Sequence, residues 1–116
     1  MTILRIDYKE AIGRIEDEGI YKEIACAFAE HIPTYIAQLE AALMHNDAEL
    51  ATRTAHSIKS NCATVGCETL RLAFCQMEKL GQQQNINASL VLLEELRPQI
   101  LQLREQLLEI TASLEG

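Results

Sequence analysis

Between Thr54 and Gly66 the chain reads TAHSIKSNCATVG, with a histidine at 56, a lysine at 59 and a closing glycine. Imidazole is a good nucleophile near neutral pH because a large fraction of it is uncharged. An ammonium one helical turn away can offer charge to an anion developing beside it, such as the oxygens of a phosphoryl group. His56 and Lys59 therefore have the types and spacing for group transfer. The plainer reading is that His56 is one more polar residue on a solvated helix face. The two other histidines give less reason to suspect chemistry. His31 lies near Pro33 and His45 near a helix end, and both read as structural or solvated.

The element carrying His56 is a helix predicted over 48–65. Ala51, Ala55, Ile58, Cys62 and Val65 repeat at steps of four and three, which makes one apolar seam. Successive residues turn by about 100°, so His56, Lys59 and Ser60 project from another side, with Thr52 and Arg53 a turn earlier. Burial does not account for a histidine there. Gly66 is the expected stop. At the start, Asn46 or Asp47 can cap, and Asn46 with Glu49 has capping-box spacing.

The remaining elements are also helical. A short first helix is expected over about 6–15, with Gly19 as the turn residue that follows. A long second helix over 20–45 carries Ile24, Phe28, Tyr35, Ile36, Leu39 and Leu43 on one stripe, and Pro33 should kink or divide it. A fourth helix over 68–80 buries Leu70, Phe74, Met77 and Leu80 and stops at Gly81. After a QQQNIN loop, a last helix over 88–113 repeats Leu93, Leu96, Ile100, Leu103, Leu107, Ile110 and Leu114, with a kink expected at Pro98. The expected fold is all-α. Short connections force an antiparallel up-down four-helix bundle capped by the additional short N-terminal helix, in one domain over 1–116. The sustained heptads would also suit a coiled-coil dimer, but the loops favour a bundle within one chain, and a monomer is expected.

Composition narrows the function classes. A net charge of −7 argues against binding nucleic acid or an anionic membrane surface. The exception is the stretch 51–80, where four basic residues face two acidic ones. A mildly basic patch on an acidic body suits a small anionic target or an acidic protein partner. No apolar run approaches the roughly 20 residues that span a bilayer, and the N-terminus lacks a signal-peptide pattern, so a cytoplasmic location is expected. Cysteines 26, 62, 67 and 75 form no C-x-x-C pair. They are expected to be reduced, mostly buried small hydrophobes rather than metal ligands or disulfides.

The segment Leu39–Glu78, LEAALMHNDAELATRTAHSIKSNCATVGCETLRLAFCQME, resembles the histidine-containing phosphotransfer (HPt) domain family. That family presents a phosphorylatable histidine from an exposed helix of a bundle. Its pattern is an Asp before the helix, then Ala-His-x-x-Lys-Gly, then a small-apolar-Gly closure. Here Asp47, Ala55, His56, Lys59, Ser60 and Thr64-Val65-Gly66 take those places. Ser60 departs from the usual Gly, which keeps the surface low for an incoming donor. Cys67 replaces a common Ala, and Asn61 stands where small residues are frequent.

The resemblance implies that His56 is the phosphoacceptor and that Lys59 serves the phosphoryl oxygens. Glu78 matches a position where the family carries a Glu or Gln that bonds the histidine. A carboxylate there would accept a hydrogen bond from Nδ1–H and leave Nε2 free. Arg53, Ser60, Asn61 and Gln82 become expected docking residues. Neither a Walker-type loop nor a dinucleotide fingerprint is present. The phosphoryl group must then come from a partner, in this family a receiver domain of a response regulator or hybrid kinase. The protein needs no cofactor of its own, with Mg²⁺ expected on the receiver.

The protein is thus expected to be a phosphohistidine carrier without an ATP site, taking the group from one receiver aspartate and passing it to another. Three alternatives stand beside this reading. They are the phosphoacceptor domain of a chemotaxis-type kinase, a non-catalytic helical adaptor, and, weakest, a metal site using His56 with Cys62 or Cys67.

Overall fold

The computed structural model describes residues 4–114. Five helices follow in order: α1 (Tyr8–Ile15), α2 (Glu18–Met44), α3 (Ala48–Val65), α4 (Glu68–Gln82) and α5 (Ile86–Ser113). No strand occurs among the described residues. α3 packs between α2 and α4, and α5 closes the ring by packing on both of them. The result is an up-down four-helix bundle, with α1 laid across α2 and α3. Its long axis of 45 Å is set by α5, whose 28 residues rise about 1.5 Å each.

The core follows the apolar seams. Ala51, Ala55, Ile58, Cys62 and Val65 are all buried on α3. So are Leu93, Leu96, Ile100, Leu103 and Leu107 on α5, while Ile110 and Leu114 are half-buried at its end. On α2 the interior is wider than one stripe. Tyr21, Ala25, Ala29 and Ile32 are buried along with Phe28, Leu39 and Leu43, whereas Ile24, Tyr35 and Ile36 are only partly covered. Cys62 and Cys67 are buried and Cys26 and Cys75 half-buried, all four as free thiols.

The helix ends depart from the expected boundaries for identifiable reasons. α1 starts at Tyr8 because Asp7 remains outside it, its carboxylate accepting from Glu10 N at 3.4 Å. The reversal after α1 is made by Glu16, at φ 64°, so Gly19 is not the turn residue. Gly19 lies in the first turn of α2, behind the Asp17 cap that accepts from Ile20 N at 3.0 Å. α2 runs on through Pro33 and α5 through Pro98 without a break in the helix. Before α3, Asn46 takes a left-handed conformation, φ 58°, and Asp47 is the cap, accepting from Leu50 N at 3.1 Å. The Asn46–Glu49 capping box does not form.

The largest correction is at Gly81. It does not stop α4, which continues to Gln82. Gly81 is buried and takes the core place after Met77, leaving Leu80 half-buried. The connection to α5 shrinks to residues 83–85, with Gln84 left-handed at φ 58° and Asn85 capping Ala88 N at 3.2 Å.

The end of α3 is tied down by residues from the chain's beginning. Gly66 adopts φ 93°, and a Cβ there would lie 2.5 Å from the Asp7 carbonyl oxygen. The Asp7 N–H donates to Gly66 O at 2.9 Å. Arg14 donates to Ala63 O at 3.1 Å, and the buried Tyr21 hydroxyl donates to Val65 O at 2.8 Å. The bonds to Val65 and Gly66 satisfy carbonyls that the helix end leaves without an internal partner, whereas Ala63 O also accepts from Gly66 N at 3.3 Å.

Candidate functional site

His56 stands in the middle of α3, on the side facing α4, with its side chain 58% exposed. The buried seam behind it fixes its direction: Ala55 and Ile58 point into the core, so a residue between them emerges at the surface. Its Nδ1 lies 2.7 Å from Glu78 Oε2 on α4. The second carboxylate oxygen, Oε1, accepts from Lys59 Nζ at 2.6 Å. One carboxylate therefore bridges the two residues of α3 that the sequence singles out. Glu78 is the most enclosed of the three, with its side chain 15% exposed against 24% for Lys59.

The electrostatics follow from this bridge. The hydrogen bond from Lys59 holds the Glu78 carboxyl below the usual carboxylate value, burial opposes that shift, and the His56 bond assists it. Glu78 is thus ionised at neutral pH and can only accept. Nδ1 of His56 must then carry the proton. Nε2 has no hydrogen-bond partner among the described residues and presents its lone pair to solvent.

The other expected site residues fall on different flanks. Ser60 is exposed one turn beyond His56, and its hydroxyl makes no hydrogen bond among the described residues. Arg53 and Gln82 line a common shallow depression between α3 and α4, with Thr52 and Gly81 at its floor. Asn61 is separated from them. Its amide donates to Ser57 O at 2.9 Å, and it lines a depression on the α2 side with Phe28, His31 and Tyr35. His31 is exposed, with Nδ1 2.8 Å from Ala27 O.

Two features of the site were not anticipated from the sequence. One is the bond between Lys59 and Glu78, which joins residues 19 apart in the chain. The other is the close pairing of Thr52 with Gly81, where a Cβ on the glycine would lie 2.3 Å from Thr52 Oγ1. The signal for the second was present. Leu70, Phe74 and Met77 step by four and three, and the next step of four falls on Gly81 rather than Leu80.

No group of three or more His, Cys, Asp or Glu among the described residues is gathered to hold a metal ion. Cys62 and Cys67 are fully enclosed, and burial pushes both thiols up, so they do not share a surface with His56. No helix among the described residues is long and apolar enough to cross a membrane.

Comparisons with known proteins bear on the same helices. Neither the curated proteins nor the solved structures offer a match to the chain. The family model described as Hpt domain matches residues 23–112, which takes in α3 and α4 whole and most of α2 and α5. An all-helical bundle with an outward histidine, matched over most of its length, belongs to the Hpt domain family, the histidine phosphotransfer modules of two-component signalling.

Proposed function

We propose that His56 is the phosphoacceptor, taking a phosphoryl group from a receiver-domain aspartate and passing it to a second receiver. Hpt domains interact with receiver domains in phosphorelays, and the site chemistry supports this role for His56. The observation that carries it is the exposed imidazole whose Nδ1 is held by Glu78 at 2.7 Å. A ring fixed in this tautomer offers Nε2 as the nucleophile without a prior proton transfer.

In the transfer, Nε2 attacks phosphorus in line with the aspartyl oxygen. The P–N bond forms as the acyl P–O bond breaks, and the receiver's carboxylate leaves. The ring then carries positive charge, and its Nδ1–H already faces the Glu78 carboxylate, which stabilises that charge. Lys59 offsets the negative charge of Glu78, which would otherwise repel the approaching phosphoryl oxygens. Its ammonium, 24% exposed, can also turn towards them. Return to a receiver aspartate reverses these steps. The Mg²⁺ that such a transfer uses is assigned to the receiver.

Incubation with a phosphorylated receiver tests the assignment. The wild type should acquire an acid-labile, base-stable phosphoryl group, the behaviour of a phosphoramidate. His56→Gln should keep the wild-type fold and acquire none. Labelling of that variant would overturn the proposal.

A further inference from the structure

The bond between His56 and Glu78 spans two helices, so its length depends on how far apart α3 and α4 lie. One turn from His56 on α3 is Thr52, and one turn from Glu78 on α4 is Gly81. Those two residues meet. A Cβ built on Gly81 would lie 2.3 Å from Thr52 Oγ1 and 3.3 Å from both Thr52 Cα and Cβ. Thr52 cannot easily rotate away, because its hydroxyl donates to Ala48 O at 2.7 Å and its branched side chain is stiff at χ1. The glycine is buried within α4, where it costs helix stability relative to alanine. Its missing Cβ is what allows this approach.

From these contacts we infer that Gly81 and Thr52 are positioning residues. Their contact sets the α3–α4 separation that brings Glu78 within bonding distance of His56. This inference rests on the reading of His56 as phosphoacceptor for its effect on transfer, but not for its effect on the ring. Adding a Cβ requires roughly 0.7 Å of extra room to reach the shortest tolerable contact. Helices are stiff over one turn of about 5.4 Å, so much of that widening reaches Glu78. Both of its partners, His56 and Lys59, sit on α3, so both bonds stretch together. A 2.7 Å bond lengthened by that amount lies at the limit of hydrogen bonding.

The test combines ring ¹⁵N shifts of His56, transfer rates from a phosphorylated receiver, and thermal melts. The wild type should show the Nδ1–H form. In Gly81→Ala the population should move towards Nε2–H, and transfer should slow about tenfold, as sub-ångström misplacement of a reacting group allows. Thr52→Gly added to Gly81→Ala removes the hydroxyl and Cβ, and should restore the tautomer and bring the rate to within about threefold of wild type. Thr52→Val wedges the same contact from α3 and should shift the tautomer in the same direction, which keeps the test open if Gly81→Ala melts too low. An unchanged tautomer in folded Gly81→Ala or Thr52→Val would overturn the inference. A shifted tautomer with undiminished transfer would uphold the positioning role and count instead against His56 as the attacking group.

Discussion

Replacing Glu78 separates two contributions that a single carboxylate makes. In Glu78→Ala, His56 Nδ1 and Lys59 Nζ both lose their acceptor, at 2.7 and 2.6 Å. Charge-assisted bonds reach about 1.5–3 kcal/mol when shielded. The His56 side chain is 58% exposed, so water replaces its bond at little cost, while the Lys59 pair is mostly covered. The net loss of stability should be about 1–2 kcal/mol, or a fall in Tm of roughly 3–6 °C per kcal/mol. Transfer should fall about tenfold to a hundredfold, because the ring loses both its tautomer and its orientation.

Glu78→Gln should divide these effects. Its carbonyl can still accept from Nδ1, and its amide cannot accept from Lys59. The variant should lose nearly the same stability as alanine but transfer within about fivefold of wild type. The acid limb adds a signature. The Glu78 carboxyl is depressed in the folded state, so its contribution is complete above its usual 4.5 and is lost as pH falls through the lower folded value. The stability gap between wild type and Glu78→Gln should therefore be constant above about pH 5.5 and close below it. Paired denaturation curves across pH and single-turnover transfer measure both. A Glu78→Gln variant as slow as Glu78→Ala would refute the reasoning, since the charge and not the accepted hydrogen bond would then be what His56 requires.

Three further outcomes can be checked with the same methods. Lys59→Ala should slow single-turnover transfer roughly tenfold to a hundredfold, for a loss of about 1–3 kcal/mol of charge-assisted stabilisation, with receiver affinity less affected; an unchanged rate would assign all of that stabilisation to the receiver. Ser60→Arg should leave stability within roughly 0.5 kcal/mol and cut transfer about a hundredfold by holding the donor away from Nε2; a wild-type rate would mean that the receiver does not approach over this face. Gly66→Ala should cost about 2–3 kcal/mol in denaturant titrations, since it forces a left-handed conformation on alanine and drives its Cβ to 2.5 Å from Asp7 O; a loss under 1 kcal/mol would show that the turn relaxes freely.

The helices and their buried faces are legible in the sequence because a seam needs only the period of one element. Ala51 to Val65 on α3 and Leu93 to Leu107 on α5 illustrate this. Helix ends are less legible, because the reversals at Glu16, Asn46 and Gln84 place ordinary residues in the left-handed region, where composition points to glycine. Gly19 and Gly81 show the converse error. A glycine can end a helix or let two helices meet, and only the distance to the neighbouring element decides which. The outward direction of His56 follows from its own helix. The Lys59–Glu78 bond does not, because it depends on the rotation of α4 against α3, which no local pattern encodes.

The three donors that fasten the end of α3 come from Asp7, Arg14 and Tyr21, and all three precede residue 23, where the match to the family begins. The part of the chain shared with the family keeps the turn that ends the helix bearing His56, with Gly66 N and Cys67 N both on Cys62 O, but it lacks these outer donors. Cut back to that shared part, α3 would end with the carbonyls of Val65 and Gly66 open to water and that of Ala63 held by Gly66 N alone, and its last turns would exchange their amide protons faster. His56 lies nine residues upstream of Val65, about two and a half turns from the fraying end. Residues 7–21 act as a clasp, and the rigidity under the imidazole is partly on loan from a segment that never touches it.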